Sequence, residues 1–241
     1  MSEILIVKNL HKNFGRVAAV LNLSFEVNEG EILGMMGPNG AGKTTVFNLL
    51  TGVFKPDEGV IIFKGKDITH QSPAKRCREG IGRTYQIPSP FNKMTVLENL
   101  LVGAVHGGGM NEKQARDEVN DILEMIKLYP MKNRLAGELP LLNRKRLELG
   151  RALATKPQLL LLDEVAGGLT EGEANQLIEI VRKISERGIT IVWIEHLLMM
   201  MSEGVDRLLV ISEGRWLKCG DPKEVMNSAE VLNSYLGAEE Q

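Results

Sequence analysis

Apolar positions recur in two rhythms along this chain, and the changes of rhythm mark its organisation. Ile4 to Val7 is a short apolar run that predicts a strand, and Ser24 to Val27 alternates polar and apolar as a half-buried strand does. Asn28-Glu29-Gly30 signals a turn. Glu31 to Met36 is then an apolar run that leads straight into a glycine-rich loop. Thr44 to Thr51 reads as a helix, with Gly52 placed to end it. Lys55-Pro56-Asp57-Glu58-Gly59 is a second turn, and Val60 to Phe63 a further strand.

The middle of the chain changes character. Ser72-Pro73-Ala74 opens a short helical stretch, and Pro88 and Pro90 break the pattern after Tyr85-Gln86. Thr95 and Glu98 have capping-box spacing at a helix start. Gly107-Gly108-Gly109 reads as a flexible connection, after which Ala115, Val119, Ile122, Leu123 and Ile126 share one helical face. Residues 87–155 therefore form an expected helical lobe. In the last third, Leu159 to Leu162 and Thr190 to Ile194 read as buried strands, with a helix from Glu173 to Ser185 between them. Arg207 to Ser212, the turn Glu213-Gly214 and Arg215 to Lys218 read as a hairpin. Strands interleaved with helices predict an α/β domain with a mostly parallel sheet.

Composition narrows the classes of function. The 241 residues suit one large domain or two lobes. A net charge of −2, with no basic run, argues against a nucleic-acid partner. Cys77 and Cys219 are far apart, which fits reduced thiols and neither a disulfide framework nor a metal knuckle. The start, Met1 to Lys8, lacks the order of a signal peptide. No apolar stretch approaches the roughly 20 residues that span a bilayer. A role at a membrane would require another subunit to hold the chain there.

Five places carry candidate chemistry. In Gly37-Pro38-Asn39-Gly40-Ala41-Gly42-Lys43-Thr44, the glycines let successive backbone N–H groups turn inward around phosphates. Lys43 adds a point charge, the Thr44 hydroxyl suits Mg²⁺, and the following helix, which also carries Thr45, points its positive end at the same phosphates. Leu159-Leu160-Leu161-Leu162-Asp163-Glu164 is an apolar strand that delivers two carboxylates to a sheet edge. Asp163 can hold Mg²⁺ through water, and Glu164 can accept a proton from an attacking water. His196 closes the next buried strand, where it can donate to a γ-phosphate, although a lone histidine is more often structural. Gln86 can ligate Mg²⁺ through its carbonyl, and Phe14 either stacks on adenine or belongs to the core.

The order aromatic, phosphate loop, Gln, Asp-Glu strand end and His resembles the nucleotide-binding domain of ABC ATPases, over the whole chain. The resemblance implies a P-loop NTPase with a RecA-like core, an antiparallel β-subdomain and a helical subdomain. The core and β-subdomain would take about 1–86 and 156–241 of a single domain. ATP and Mg²⁺ are the implied cofactors. The nucleotide contacts would be Phe14, Gly37 to Thr45 and Gln86, the metal ligands Thr44, Gln86 and Asp163, and the catalytic residues Glu164 and His196. Two such domains, as a homodimer or a heterodimer, would face head to tail around two ATP molecules.

Within the family, the chain is most similar to the ATP-binding subunits of branched-chain amino acid uptake systems. The residues that carry this are Gly82-Arg83-Thr84-Tyr85-Gln86, Met94 to Leu100, Ile194-Glu195-His196 and the ending Ser234-Tyr235-Leu236-Gly237. That likeness implies a peripheral protein on the cytoplasmic face of the membrane. Its partners would be polytopic permease subunits and, indirectly, an extracytoplasmic solute-binding protein. A soluble or regulatory ABC ATPase with weak hydrolysis is the alternative.

Two departures stand out. Where the family has a signature close to Leu-Ser-Gly-Gly-Gln, this chain has Leu139-Pro140-Leu141-Leu142-Asn143. Pro140 replaces a serine and supplies neither a hydroxyl nor an N–H, and Leu142 replaces a glycine that lets backbone approach phosphate. After Glu164 the family usually has Pro, whereas here Val165-Ala166-Gly167-Gly168-Leu169-Thr170 follows, an expected loosening.

Overall fold

A computed structural model of the chain describes residues 2–236. Gly237 of the quoted ending lies outside them. In chain order the elements are β1 (Glu3–Phe14), β2 (Val17–Asn28), β3 (Ile32–Met36), α1 (Lys43–Leu50), β4 (Glu58–Phe63), β5 (Lys66–Asp67), α2 (Pro73–Glu79) and β6 (Ile81–Arg83). Then come α3 (Val96–Val102), α4 (Glu112–Met125), α5 (Leu141–Leu153), β7 (Leu159–Asp163) and α6 (Glu171–Ser185). The chain continues with β8 (Thr190–Ile194), α7 (Leu198–Gly204), β9 (Arg207–Ser212), β10 (Arg215–Gly220), α8 (Pro222–Met226) and α9 (Ala229–Leu236). Contacts divide the described residues into two compact units, one of residues 2–76 with 190–236, the other of Cys77–Ile189.

The first unit holds two sheets. An antiparallel sheet runs β2-β1-β4-β5. Its strands are longer than their apolar runs predict: β1 continues past Val7 to Phe14. Register shifts near Lys8 and Leu10 let it stay paired with β2 while burying Leu5, Val7 and Leu10. In the other sheet β3 lies parallel between β8 and β9, and β10 pairs antiparallel to β9. All five residues of β3 and of β8 are buried, as expected of strands covered on both faces. Helix α1 follows β3, ends on Thr51 and is followed by Gly52 in the left-handed conformation. The buried guanidinium of Arg76 donates to the carbonyls of Leu49, Leu50 and Thr69, and so caps the negative end of α1.

The second unit pairs β6 with β7 in parallel and surrounds them with helices. Helix α3 starts in the capping box that its sequence predicts: the Thr95 hydroxyl accepts from the Glu98 N–H, and Glu98 accepts from the Thr95 N–H. Asn111 with Gln114 and Thr170 with Glu173 do the same for α4 and α6. Helix α4 buries Ala115, Val119, Ile122 and Leu123, the face read from the sequence.

The glycine connection expected after α3 is partly ordered as a turn. Gly103–Gly107 forms a π-helical turn. A Cβ on Gly107 would lie 2.6 Å from Thr155, and one on Gly108 2.8 Å from the Ala104 carbonyl. Gly107 and Gly108 are therefore set by close packing, whereas Gly109, at φ 66°, has open space around it. The segment after Glu164 also differs from its expectation: Gly167 N–H donates to Glu164 O and Leu169 N–H to Ala166 O, so it folds as successive turns. Gly168, at φ 77°, supplies the backbone reversal before Thr170 caps α6.

Candidate functional site

The phosphate-loop residues lie where β3 gives way to α1. Gly37 and Gly42 are fixed by sterics: a Cβ would lie 2.1 Å from the Ile211 carbonyl at the first and 2.2 Å from the Ala19 carbonyl at the second. Pro38 is half-buried, Asn39 and Gly40 are exposed, and Ala41 is buried. Gly42, in the left-handed conformation, caps α1 without a side-chain bond. Lys43 is buried, and its Nζ donates to the carbonyls of Gly37 at 2.7 Å and Pro38 at 3.0 Å. Thr44 is exposed and Thr45 half-buried. A glycine-rich turn at a helix N-terminus with a lysine folded across it has the shape and charge of a polyphosphate cradle.

His196 belongs to the same unit. The register Met35↔Ile194 between β3 and β8 carries the chain after β8 to the sheet edge at which the phosphate loop begins. His196 is exposed and, with Met36 and Tyr235, lines a cavity of about 560 Å³. Tyr235 sits against the Gly37 backbone, and burial pushes its phenol pKa up. Phe14, at the end of β1, is 44% exposed and packs edge-on against Phe54 at 5.2 Å, with Lys12 Nζ 5.7 Å from its ring. It is a surface aromatic and no part of the core.

The acidic pair belongs to the second unit. Parallel pairing of Arg83 with Leu161 sets the ends of β6 and β7 side by side. Asp163 is buried at the end of β7, and its N–H donates to the Thr84 hydroxyl. Arg83 donates to Asp163 Oδ2 at 2.7 Å. Gln86, exposed, donates from Nε2 to Glu164 Oε2 at 2.5 Å. Glu164 is half-buried with a left-handed backbone (φ 47°), a strained setting for a residue with a side chain. Lys145 of α5 reaches its carbonyl at 3.4 Å. The segment after Gln86 is pinned at its other end, where Arg151 donates to Ser89 O and stacks 5.0 Å from the Phe91 ring.

Sequence reasoning assigned no role to Arg83 or Lys145. A basic residue three positions before Gln86, on a strand flanking the acidic one, was the available signal for Arg83. Lys145 carried no signal short of the fold.

The signature region shows what its substitutions do. Pro140 is the N-cap of α5 and makes no side-chain cap bond. Asn143 turns inward, donating to Met131 Sδ and accepting from Arg146. Arg144 folds back onto the carbonyls of Leu139 and Gly137. Leu141 is 45% exposed.

No group of three or more His, Cys, Asp or Glu able to hold a metal occurs among the described residues. Within the second unit, the buried carboxylate of Asp163 and the exposed amide of Gln86 are oxygen donors of the kind that Mg²⁺ takes, since it keeps water and binds through one or two carboxylates together with substrate phosphates.

Comparison with known proteins bears on the family. A family model described as ABC transporter matches residues 20–167, more than half of the chain. The chain is 37% identical to the probable branched-chain amino acid transport ATP-binding protein LivG of Methanocaldococcus jannaschii, over 98% of both chains. It is 35% identical to the high-affinity LivG of Escherichia coli K12, over 97% of this chain and 98% of that one. Among solved structures, the ADP conformation of an ATP-binding cassette of an ABC transporter superposes with a TM-score of 0.92 at 36% identity, covering 98% of this chain and all of that one. A nucleotide-free cassette superposes at 0.90, covering 97% and 98%. With a phosphate cradle opening α1, an acidic pair closing β7 and likeness along nearly its whole length, the chain belongs to the ABC transporter family as an ATP-binding cassette of the P-loop NTPase fold.

Proposed function

We propose that this chain is the ATP-hydrolysing subunit of an importer for branched-chain amino acids or a related small polar solute, working as a single ATPase domain on the cytoplasmic face of the membrane. The observation that carries the reading is the open loop Gly37–Thr44 with Lys43 folded across it, in a chain whose full-length relatives are named transport ATP-binding proteins. Among the described residues, no helix is long and apolar enough to cross a membrane. Polytopic permease subunits are the partners that would hold the chain there, and an extracytoplasmic binding protein would choose the solute.

In this reading the amides of Gly37 to Thr45 and the Lys43 ammonium bind the ATP phosphates, and Phe14 stacks on adenine. Thr44, Gln86 and Asp163 would hold Mg²⁺, which would supply charge neutralisation at the phosphate oxygens. Glu164 takes the proton of the attacking water, and its partner Gln86 orients that carboxylate. His196 donates to the γ-phosphate. Binding closes a pair of such domains, and hydrolysis lets them reopen.

The partner domain is a different chain that carries an intact signature. Pro140 has no N–H or hydroxyl to offer, and the Asn143 amide is occupied inside its own unit. Loss of one hydrogen bond to a charged group costs about 1.5–3 kcal/mol, a tenfold to hundredfold effect. The composite site that uses this chain's phosphate loop is then the fast one. The test is ATP turnover of the assembled complex with Glu164→Gln in this chain, compared with the equivalent change in the partner. The reading requires the larger loss from Glu164→Gln. Untouched turnover sinks it, and brisk hydrolysis by a homodimer would show that the Leu139–Asn143 segment is a working variant.

A further inference from the structure

Arg83 has no part in the ATPase reading above, yet it lies on that reading's metal-holding carboxylate. Its side chain is 6% exposed and that of Asp163 4%, with Nη2 donating to Oδ2 at 2.7 Å. Three residues on, Gln86 holds Glu164. The tip of one short strand and the residues just after it therefore grip both neighbouring carboxylates. Two backbone contacts keep the grip in register: Thr84 N–H donates to Leu161 O, and Asp163 N–H to the Thr84 hydroxyl. The Arg83 guanidinium also lies 5.0 Å from the Tyr85 ring, so it is oriented from a second side.

Burial strengthens the pull between a carboxylate and a cation beside it. Here Arg83 is such a cation. A divalent metal approaching Asp163 seeks the same oxygen, and a guanidinium bound to Oδ2 competes with it. We propose that Arg83 is a positioning residue for metal–nucleotide binding: it neutralises and orients Asp163 between turnovers and is displaced from Oδ2 when Mg²⁺-nucleotide binds. The inference rests on the assignment of Asp163 as a metal-holding residue.

The experiment measures the affinity of the full chain for fluorescent ADP with Mg²⁺ and with EDTA. The readout is the Kd in EDTA divided by the Kd in Mg²⁺, a coupling that a purely structural role would not move. In Arg83→Met the metal no longer breaks a charged hydrogen bond, so the ratio rises by roughly tenfold or more. Arg83→Lys keeps a cation beside Asp163 and stays near the wild-type ratio. Asp163→Asn collapses the ratio. An unchanged ratio in Arg83→Met, with the collapse in Asp163→Asn, overturns the role of Arg83 alone. A ratio that Asp163→Asn leaves intact overturns the assignment of Asp163 as well. If Arg83→Met does not fold, Arg83→Gln is read in the same way: a raised ratio supports the displacement, and an unchanged ratio overturns it.

Discussion

Lys43 donates from Nζ to the carbonyl of Gly37, six residues earlier, at 2.7 Å. A buried ammonium needs acceptors, and here the loop's own backbone supplies them. Phosphate oxygens carry more charge than a peptide carbonyl, so the lysine exchanges these partners for nucleotide at a net gain. Lys43→Ala should weaken ATP binding by roughly tenfold to hundredfold, the cost of one or two charge-assisted bonds. Isothermal calorimetry checks the affinity. Circular dichroism should show the fold retained, because the variant also removes a buried charge.

Arg76 is 1% exposed and donates to three carbonyls, two of them at the C-terminal end of the phosphate-loop helix. Arg76→Met fills similar volume but leaves those carbonyls without their donor. The expected loss is about 3–5 kcal/mol of unfolding free energy. Urea denaturation followed by circular dichroism measures it. A loss below about 1 kcal/mol would mean that water replaces the guanidinium.

Glu148 gives a pH signature. Burial raises its pKa above the ordinary 4.5, against the lowering effect of the Arg151 ion pair at 2.9 Å. The folded chain therefore holds this proton more tightly than the unfolded chain. The contribution is fully present below about pH 4.5 and is lost as pH rises through the higher folded value. Glu148→Gln should flatten the fall in stability across that window. Thermal melts at a series of pH values, wild type against variant, test the sign.

How much of this was legible in the sequence depended on the range of the forces involved. The phosphate loop was legible because its chemistry is local: glycines, a lysine and a helix start lie within eight residues. The capping box at Thr95 was legible for the same reason. The full length of β1 was not, because Lys8, Asn9, His11 and Lys12 are polar and stay in the sheet only through pairing with β2 and β4. The role of Gly107 and Gly108 depends on Thr155 and Ala154, more than forty residues away. The hold of Arg83 on Asp163 spans 80 residues and appears only once β6 and β7 are paired.

Glu164 is the residue on which the proposed chemistry turns, and its hydrogen bond from Gln86 orients it. The most direct measurement is ATP turnover by the chain assembled with its permease subunits in liposomes, wild type against Glu164→Gln, with ATP affinity measured on both. The account predicts solute-stimulated turnover in wild type, a fall of at least about a hundredfold in the variant, as loss of a general base gives, and an ATP affinity that stays the same. Turnover that survives Glu164→Gln, or that falls only in step with lost ATP binding, would contradict it.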